Sequence, residues 1–196
     1  MTGETRYGVV PPAEAAALSG RELLEGVTSG RLPMPTMGKT LTFRLVEVGE
    51  GTAVFEGEPG EHLLNPMGIV HGGWALTLID SATGCAAHTL LPAGIGYTTV
   101  ETKVNFSRAI RADTGRVRCE GRVIAQGRQI ISAEAVVRGL DGRVLAHGTS
   151  TLLVLQGAAK ARSRRRAIAH ALSGRLPELE DDLIRAVADR RVEHPQ

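Results

Sequence analysis

The sequence predicts an α+β fold in which an antiparallel sheet wraps around one long buried helix. Two observations support this prediction. Four long stretches with strand-like patterns follow one another between residues 97 and 155, and a strongly apolar helical stretch over residues 71–87 comes before them. A helix that is apolar on most sides must be covered by other structure, and the sheet has one face to cover. Packing the two together satisfies both needs.

The composition fits one domain with additional segments: the chain has 196 residues and a net charge of +2. Only 3% of the residues are aromatic, so the basic, aromatic-rich face of a nucleic-acid binder is not expected. Residues 62–79 and 81–100 contain no Asp, Glu, Lys or Arg, but prolines and glycines interrupt them, which makes them poor membrane spans. The N-terminus lacks a signal peptide pattern, and Cys85 and Cys119 lack redox-motif spacing. These features predict a cytoplasmic protein with two free thiols that binds neither nucleic acid nor membrane.

Three segments are expected along the chain. Residues 1–35 form an N-terminal helical segment, with one short helix over 13–29 that the following prolines end. Residues 36–156 form the main domain. Residues 157–196 form an extension that is first basic and then acidic, and we expect it to be helical or partly disordered.

Strand patterns account for most of the main domain. Residues 40–48 alternate between apolar and polar side chains, and residues 52–58 return after a glycine turn. The Asp141-Gly142 pair predicts a hairpin because both residues tolerate positive φ. In the first long stretch Val100, Thr102, Val104 and Phe106 alternate, which places them on one face of a strand. The four long stretches are 97–108, 115–125, 128–139 and 143–155.

The predicted helix over 71–87 has an apolar face and a narrow polar stripe at three- and four-residue spacing. Asp80 lies in that stripe, and burying an ionised carboxylate without a partner is costly. A structural pairing with His88 or with a backbone group could account for Asp80. A metal site with His71 is not expected, because the spacings from His71 to Asp80 and to His88 do not converge. The apolar face comprises Ala75, Ile79, Ala82 and Ala86, and the stripe comprises Thr77, Asp80, Ser81, Gly84 and His88.

Five separated blocks resemble the hotdog-fold acyl-CoA thioesterases, in particular the phenylacetic-acid-degradation type, which hydrolyses aryl- and acyl-CoA thioesters. The blocks are NPMGIVHGG, LIDSATGCA, GYTTVETKVNF, GRVIAQGRQI and DGRVLAHGTSTLLV. The resemblance runs in order from about residue 20 to residue 155. The last 40 residues of the chain have no counterpart in it.

The resemblance implies a sheet curled around one helix, assembly at least into a dimer, and a set of site residues. Gly72, at the start of the helix, would polarise the thioester carbonyl through its amide, and Asp80 would drive hydrolysis. Asn65 matches an asparagine of the family site. Thr99, or Thr98 if the alignment shifts by one residue, matches a hydroxyl residue on the following strand. No cofactor is implied, since coenzyme A is part of the substrate.

The spacing of Gly72 and Asp80 predicts a site shared between subunits. Eight helical residues separate them by about 12 Å, whereas a reacting carbon must lie about 3 Å from its nucleophile while its oxygen touches the oxyanion donor. Two antiparallel copies of the helix can meet both conditions at a two-fold interface. We therefore expect a homodimer or a dimer of dimers. His71, just before Gly72, either contacts substrate or has a structural role, in which it caps the helix or fixes the loop.

Arginines near strand ends are candidates for holding the phosphates of coenzyme A, because the planar guanidinium group matches phosphate geometry. Arg128 and Arg108 are the preferred candidates, ahead of Arg111 and Arg122. Any one of these arginines could instead lie on a solvated strand edge.

The sequence thus favours an acyl-CoA thioesterase acting on an aryl or medium-chain acyl group. A non-catalytic acyl-CoA or acyl-carrier binding protein is the alternative, and the presence of Asp80 argues against it. A hotdog dehydratase would need a catalytic histidine in an HFP-like loop, and the surroundings of His62, EHLLNP, do not match. The acyl group, the choice between general-base and nucleophilic catalysis, the oligomer and the role of the extension remain open at this stage.

Overall fold

Six antiparallel strands form one sheet in the computed structural model, which describes residues 5–155. The spatial order is β1-β2-β4-β5-β6-β3, so β1 and β3 are the two edges. All six predicted strands are confirmed, with small shifts at their ends. The bounds are β1 Phe43–Gly49, β2 Thr52–Gly57, β3 Gly96–Phe106, β4 Val117–Gln126, β5 Ile130–Gly139 and β6 Val144–Leu155.

The predicted long helix is also confirmed: it packs across strands β2 to β6 and begins at Gly72. The helices are α1 Pro12–Ala17, α2 Gly20–Thr28, α3 Thr36–Thr40 and α4 Gly72–His88. None of the helices between residues 5 and 155 is long and apolar enough to cross a membrane. The compact unit to which these residues belong ends at Leu155. The predicted extension over 157–196 lies outside the described residues.

The N-terminal segment differs from the single helix expected over 13–29. Two helices form instead, because Ser19 begins a new helix with a capping box. The Glu22 amide donates to Ser19 Oγ at 3.3 Å, and the Ser19 amide donates to Glu22 Oε2 at 2.8 Å. Leu24 and Val27 of α2 are buried in the main core, so α2 packs on the domain.

The core lies between the apolar face of α4 and the inner face of the sheet. Ile79 and Ala82 of α4 are fully buried, as are Val117 and Val137 of the sheet. Burial of this kind is the main favourable term in folding. The outer face carries exposed ion pairs, each of which stabilises little: Arg44 with Glu56, Arg118 with Glu47, and Arg122 with Glu134.

A β-bulge interrupts the alternation of β3. Thr99 pairs with Leu152 and Thr102 with Ser150, and both partners point into the core. Val100 is the extra residue and is 62% exposed. The prediction that Val100 shares a face with Thr102 is therefore wrong, because a bulge inserts one residue and shifts the period-two pattern. Thr99 and Thr102, three residues apart, both face α4.

Candidate active site

The first turn of α4 leaves one backbone amide free. His71 is the N-cap: its Nδ1 accepts a hydrogen bond from the Gly73 amide, and its carbonyl oxygen accepts one from the Trp74 amide, both at 2.9 Å. Of the two roles expected for His71, its position matches capping. Within residues 5–155, the Gly72 amide has no hydrogen-bond partner. A free amide at a helix N-terminus attracts anionic oxygen, because the aligned peptide dipoles give this end a partial positive charge.

The loop before α4 is held by Asn65. Its Oδ1 accepts hydrogen bonds from the Met67 amide at 2.9 Å and the Ile69 amide at 3.3 Å. The backbone amide of Asn65 donates to the Ile69 carbonyl oxygen at 2.8 Å. The side-chain carbonyl of Asn65 thus builds the turn, whereas Nδ2 makes no hydrogen bond to any described residue. The role of Asn65 toward substrate stays a prediction.

Phe106 flanks the free amide. A Cβ atom built on Gly72 would lie 3.0 Å from Phe106 Cζ. Phe106 is 60% exposed among the described residues. The absence of a side chain at Gly72 keeps the approach to its amide narrow but open.

The carboxylate of Asp80 is positioned by hydroxyl groups that the sequence did not reveal. Asp80 is half-buried, and its Oδ1 accepts a hydrogen bond from Thr102 Oγ1 at 3.1 Å. Thr102 Oγ1 lies 3.0 Å from Ser150 Oγ, and Thr83 Oγ1 donates to Ser150 Oγ at 2.7 Å. A hydroxyl network of this kind fixes the orientation of a carboxylate that remains reachable from one side.

Thr99 occupies a different place from Thr102. It is half-buried on the face that points toward α4, and it makes no side-chain hydrogen bond to another described residue. Thr98, the alternative in the alignment, is exposed. The hydroxyl that contacts Asp80 within one chain is therefore that of Thr102, three positions after the predicted Thr99.

His88 lies away from the carboxylate of Asp80. Its ring packs against Tyr97 with 5.3 Å between ring centroids, and it forms no ion pair with Asp80 among residues 5–155. Burial lowers the pKa of His88. No three His, Cys, Asp or Glu side chains of the described residues come together in a group that could hold a metal ion. Among these residues, Asp80 is therefore held by the Thr102 hydroxyl rather than by a histidine.

Tyr97 covers the far end of α4. A Cβ on Gly84 would lie 2.6 Å from Tyr97 Oη, so only glycine at this position lets the tyrosine hydroxyl lie against the helix. Burial raises the pKa of Tyr97, and it raises the pKa of the neighbouring Cys85 to about 12. Both groups are therefore uncharged at neutral pH.

This arrangement of helix and sheet matches known proteins. The family model described as the thioesterase superfamily matches residues 67–146, which include Gly72 and Asp80. The solved structure of a thioesterase family protein from Silicibacter pomeroyi is 30% identical to this chain, with a TM-score of 0.59; the match covers 68% of this chain and 96% of that one. The chain belongs to the thioesterase superfamily. It is therefore a thioester hydrolase, and its hotdog fold is confirmed.

Further solved structures extend the comparison. A conserved protein from Pseudomonas aeruginosa is 34% identical, with a TM-score of 0.57, over 61% of this chain and 93% of that one. The PaaI protein of the phenylacetic acid degradation operon of E. coli shares the fold at 21% identity and a TM-score of 0.57, over 62% and 86% of the two chains. A Streptococcus mutans protein, solved with acetyl-CoA bound, shares it at 23% identity and a TM-score of 0.54, over 59% and 90%.

The two arginines predicted to bind coenzyme A lie at opposite ends of β6 in this thioesterase. Arg108 Nη1 donates to the Val144 carbonyl at 3.0 Å, at the start of the strand. Arg128 is exposed in the β4–β5 turn, next to Gln129, whose carbonyl accepts from the Val154 amide at 2.8 Å. Ten residues of strand separate the two contacts, which corresponds to about 33 Å.

Proposed function

We propose that this thioesterase hydrolyses an aryl- or medium-chain acyl-CoA, with Gly72 of one protomer and Asp80 of another completing each site. The observation that carries the proposal is the placement of a hydroxyl-bound carboxylate and a free amide on one helix. The carboxylate is held by Thr102, and the amide begins the same helix eight residues earlier. The Asp80 carboxylate would supply the base or nucleophile, and the Gly72 amide would supply the oxyanion donor.

The distance between these groups supports a shared site. Along one helix they are about 12 Å apart, which is too far for both to act on one carbonyl group. An antiparallel second copy of α4 would bring the Asp80 of one protomer opposite the Gly72 of the other. Such an isologous contact creates two equivalent sites in each dimer.

Exposed apolar residues beside the site support the same assembly. Leu76 of α4 is 38% exposed, and Val100 and Phe106 of β3 are more exposed still. Strand β3 is an edge of the sheet and is 11 residues long. Long, exposed, apolar edge strands tend to pair with another chain. We infer that β3 pairs with its own copy in the dimer.

Hydrolysis then follows either of two routes. In the first, Asp80 takes a proton from water, whose oxygen bonds to the acyl carbon. The C–S bond breaks, and the thiolate leaves and recovers the proton. In the second, the carboxylate bonds to the acyl carbon and expels the thiolate, and water then cleaves the mixed anhydride. Both routes give the free acid and coenzyme A, and both need the Gly72 amide to stabilise the oxyanion.

A shared site would also allow the two distant arginines, Arg108 and Arg128, to contact one coenzyme A molecule. In a dimer with antiparallel β3 strands, the Arg108 end of one protomer lies beside the Arg128 end of the other. We propose that the phosphates of coenzyme A meet one arginine from each protomer. Thr99, which faces α4 without a partner among residues 5–155, is proposed to contact the substrate or the attacking water.

Thiol release over a panel of acyl-CoA and aryl-CoA thioesters tests the activity. Asp80→Asn should lower kcat by about 10³-fold or more, because the base or nucleophile is lost. Asp113→Asn is the matched control, since Asp113 is an exposed residue of the loop between β3 and β4. Unchanged turnover by Asp80→Asn would remove the mechanism. If the wild-type protein binds acyl-CoA but releases no thiol from any member of the panel, the non-catalytic alternative is favoured.

Mixed dimers test the shared site. Gly72→Pro removes the amide donor, and Asp80→Asn removes the carboxylate. After the two variants are unfolded and refolded together, about half of the dimers are mixed, and each mixed dimer has one intact site, so about a quarter of the wild-type activity should return. Activity equal to the sum of the two separate variants would show that each site lies within one chain.

A further inference from the structure

Three hydroxyl groups form a chain that ends at the carboxylate of Asp80. The chain begins at Thr83 on α4, whose Oγ1 lies 2.7 Å from Ser150 Oγ on β6. It continues from Ser150 to Thr102 on β3 at 3.0 Å, and Thr102 contacts Asp80 Oδ1 at 3.1 Å. Thr83 is fully buried and Ser150 is 2% exposed. The chain therefore reaches the half-buried Asp80 from the interior of the protein.

The number of protons in this chain fixes the direction in which they point. Each hydroxyl has one proton to donate, whereas an ionised carboxylate only accepts. The contact between Asp80 and Thr102 therefore uses the proton of Thr102. The contact between Thr102 and Ser150 must then use the proton of Ser150. The remaining contact uses the proton of Thr83, so all three protons point toward the carboxylate.

Thr83 has a competing acceptor on its own helix. Its Oγ1 lies 2.9 Å from the Ile79 carbonyl oxygen, the acceptor that helical threonines commonly use. If Thr83 donated there, Ser150 would have to donate to Thr83, and Thr102 would have to donate to Ser150. Thr102 Oγ1 would then face Asp80 Oδ1 at 3.1 Å with no proton between the two oxygens. An ionised Asp80 thus favours the direction toward itself, since hydrogen bonds to charged groups are the stronger ones.

The two carboxylate oxygens of Asp80 differ as a result. Oδ1 accepts the hydrogen bond from Thr102, whereas Oδ2 makes no hydrogen bond to another residue of the described chain. Hydrogen bonds in a chain polarise one another, so the hydroxyls of Ser150 and Thr83 strengthen the bond at Oδ1. That bond sets the plane of the carboxylate, because the torsion that rotates this plane has only a broad preference of its own. Oδ2 is left for a reacting atom.

We propose that Ser150 and Thr83 are positioning residues that act through Thr102 and make Oδ2 the reacting oxygen of Asp80. This inference rests on the proposed function, in which Asp80 is the base or nucleophile. In the first route Oδ2 takes the proton of water, and in the second Oδ2 bonds to the acyl carbon as the C–S bond breaks. In both routes Oδ1 becomes a carbonyl oxygen, which still accepts from Thr102. No proton of the chain has to move during the step, so the chain adds no reorganisation cost.

Neutron diffraction of the perdeuterated full-length protein at neutral pH tests the direction of the chain without any measurement of activity. Each hydroxyl deuterium should lie on the line to the next oxygen, in the order Thr83, Ser150, Thr102 and Asp80. A Thr83 deuterium directed at the Ile79 carbonyl oxygen, or a Ser150 deuterium directed at Thr83, would overturn the proposal.

The kinetics of Ser150→Ala test whether the chain matters for the reaction. This variant loses the proton that Thr102 accepts but keeps the Thr102 hydroxyl, so kcat should fall by about threefold while KM stays within about twofold. In a Thr102→Val background the same substitution should leave kcat unchanged, because Ser150 acts only through Thr102. An equal loss in both backgrounds, or no loss in either, would overturn the positioning role.

Ser132→Ala is the matched control for Ser150→Ala. Ser132 lies on the neighbouring strand β5, and its hydroxyl makes no hydrogen bond to another described residue. Its removal should leave kcat unchanged. A loss equal to that of Ser150→Ala would show that removing any serine of the sheet has this effect, which would count against the chain.

Thr83 provides a rescue test at the far end of the chain. Thr83→Val keeps the side-chain shape but loses the hydroxyl and should lower kcat by about twofold, whereas Thr83→Ser should match the wild type. A loss as large with serine as with valine would assign the effect to packing and contradict the proposal. Absence of thiol release from every thioester would instead contradict the proposed function, while the deuterium positions would still decide the direction of the chain.

Discussion

The two halves of α4 differ in what covers them. In the covered half, Ala82–His88, Gly84 lies under the Tyr97 hydroxyl, and His88 packs against Tyr97 and against Gly20 of α2. In the open half, Gly72–Ser81, Leu76 is 38% exposed and Asp80 is only half-buried by the described residues of the chain. One continuous helix thus serves two purposes. Its covered half anchors the fold, while its open half carries the Gly72 amide and the Asp80 carboxylate of the proposed site.

Among the substitutions that compare the two halves of α4, the largest effect is expected at Gly72, the start of the open half. Gly72→Pro removes one amide hydrogen, and proline is well accepted at the first helical position. The preceding His71, with φ −60° and ψ 132°, already has the backbone conformation that precedes proline. We expect kcat to fall by about 10²- to 10³-fold through loss of the oxyanion donor, measured by thiol release.

Gly72→Ala is the control for this variant, since it adds a Cβ but keeps the amide. It should retain clearly more activity than Gly72→Pro. Equal loss in the two variants would mean that crowding against Phe106, rather than the amide, causes the effect.

In the covered half, replacing Gly84 with alanine should lower the stability of the protein. Gly84→Ala places a Cβ 2.6 Å from Tyr97 Oη, whereas the contact at Gly72 is with an exposed ring. Overpacking outweighs the gain in helix propensity, so Gly84→Ala should lower the free energy of unfolding by about 1 to 2 kcal/mol. Gly72→Ala should change it by less than about 0.5 kcal/mol. Urea denaturation measures both changes.

The Tyr97→Phe substitution tests whether the Tyr97 hydroxyl causes the loss of stability in Gly84→Ala. It removes the hydroxyl that the new Cβ would strike, so Gly84→Ala should cost clearly less in the Tyr97→Phe background. The same loss in both backgrounds would show that another contact is responsible.

A smaller effect is expected from the hydroxyl network that holds Asp80. Thr102→Val keeps the side-chain shape but removes the hydrogen bond to the carboxylate. We expect kcat/KM to fall about tenfold, equivalent to about 1.4 kcal/mol, with little change in the urea midpoint. Thr102→Ser, which keeps the hydroxyl, should stay within about threefold of wild type. A loss as large in the serine variant as in the valine variant would argue against the hydrogen bond.

The smallest expected effect is the contribution of His88, in the covered half, to the pH dependence of stability. Burial lowers the pKa of His88 below its ordinary 6.5 in the folded protein. Between these two pKa values the unfolded chain binds the additional proton, so stability falls as pH drops below 6.5. From about pH 7.5 to about pH 5.5, His88 should contribute less than about 1 kcal/mol to this loss, because the ring is only partly buried. His88→Gln should lose correspondingly less stability over that range, and an equal loss would contradict the assignment.

Much of the fold could be predicted because its patterns are local. The helix from Gly72 to His88 and the six strands follow from apolar periodicity and turn residues. The break between α1 and α2 is also readable in principle, since Ser19 and Glu22 have the spacing of a capping box. The apolar stripe over 13–29 nevertheless favours one continuous helix, because periodicity alone does not show where one helix ends and the next begins.

The site was harder to predict because its partners come from distant strands. Gly72 and Asp80 share one helix and could be found together. Thr99 and Thr102 both face α4 because Val100 is an inserted residue between them, and which of the two hydroxyls reaches Asp80 depends on how β3 crosses the helix. A bulge depends on how two strands pair across the sheet, and strand-period reasoning assumes that no such insertion occurs.

The chain separates its proposed reacting groups from an apolar cavity of about 260 Å³ beside α2, β1 and β2, and this separation has a consequence for evolution. The free amide and the carboxylate belong to α4, after residue 70, whereas most of the residues that line the cavity come before Thr36. Mutations in that first stretch can therefore change the cavity while the amide and the carboxylate keep their places. Related proteins with the same helix and a different N-terminal stretch should differ in this cavity before they differ in the groups on the helix.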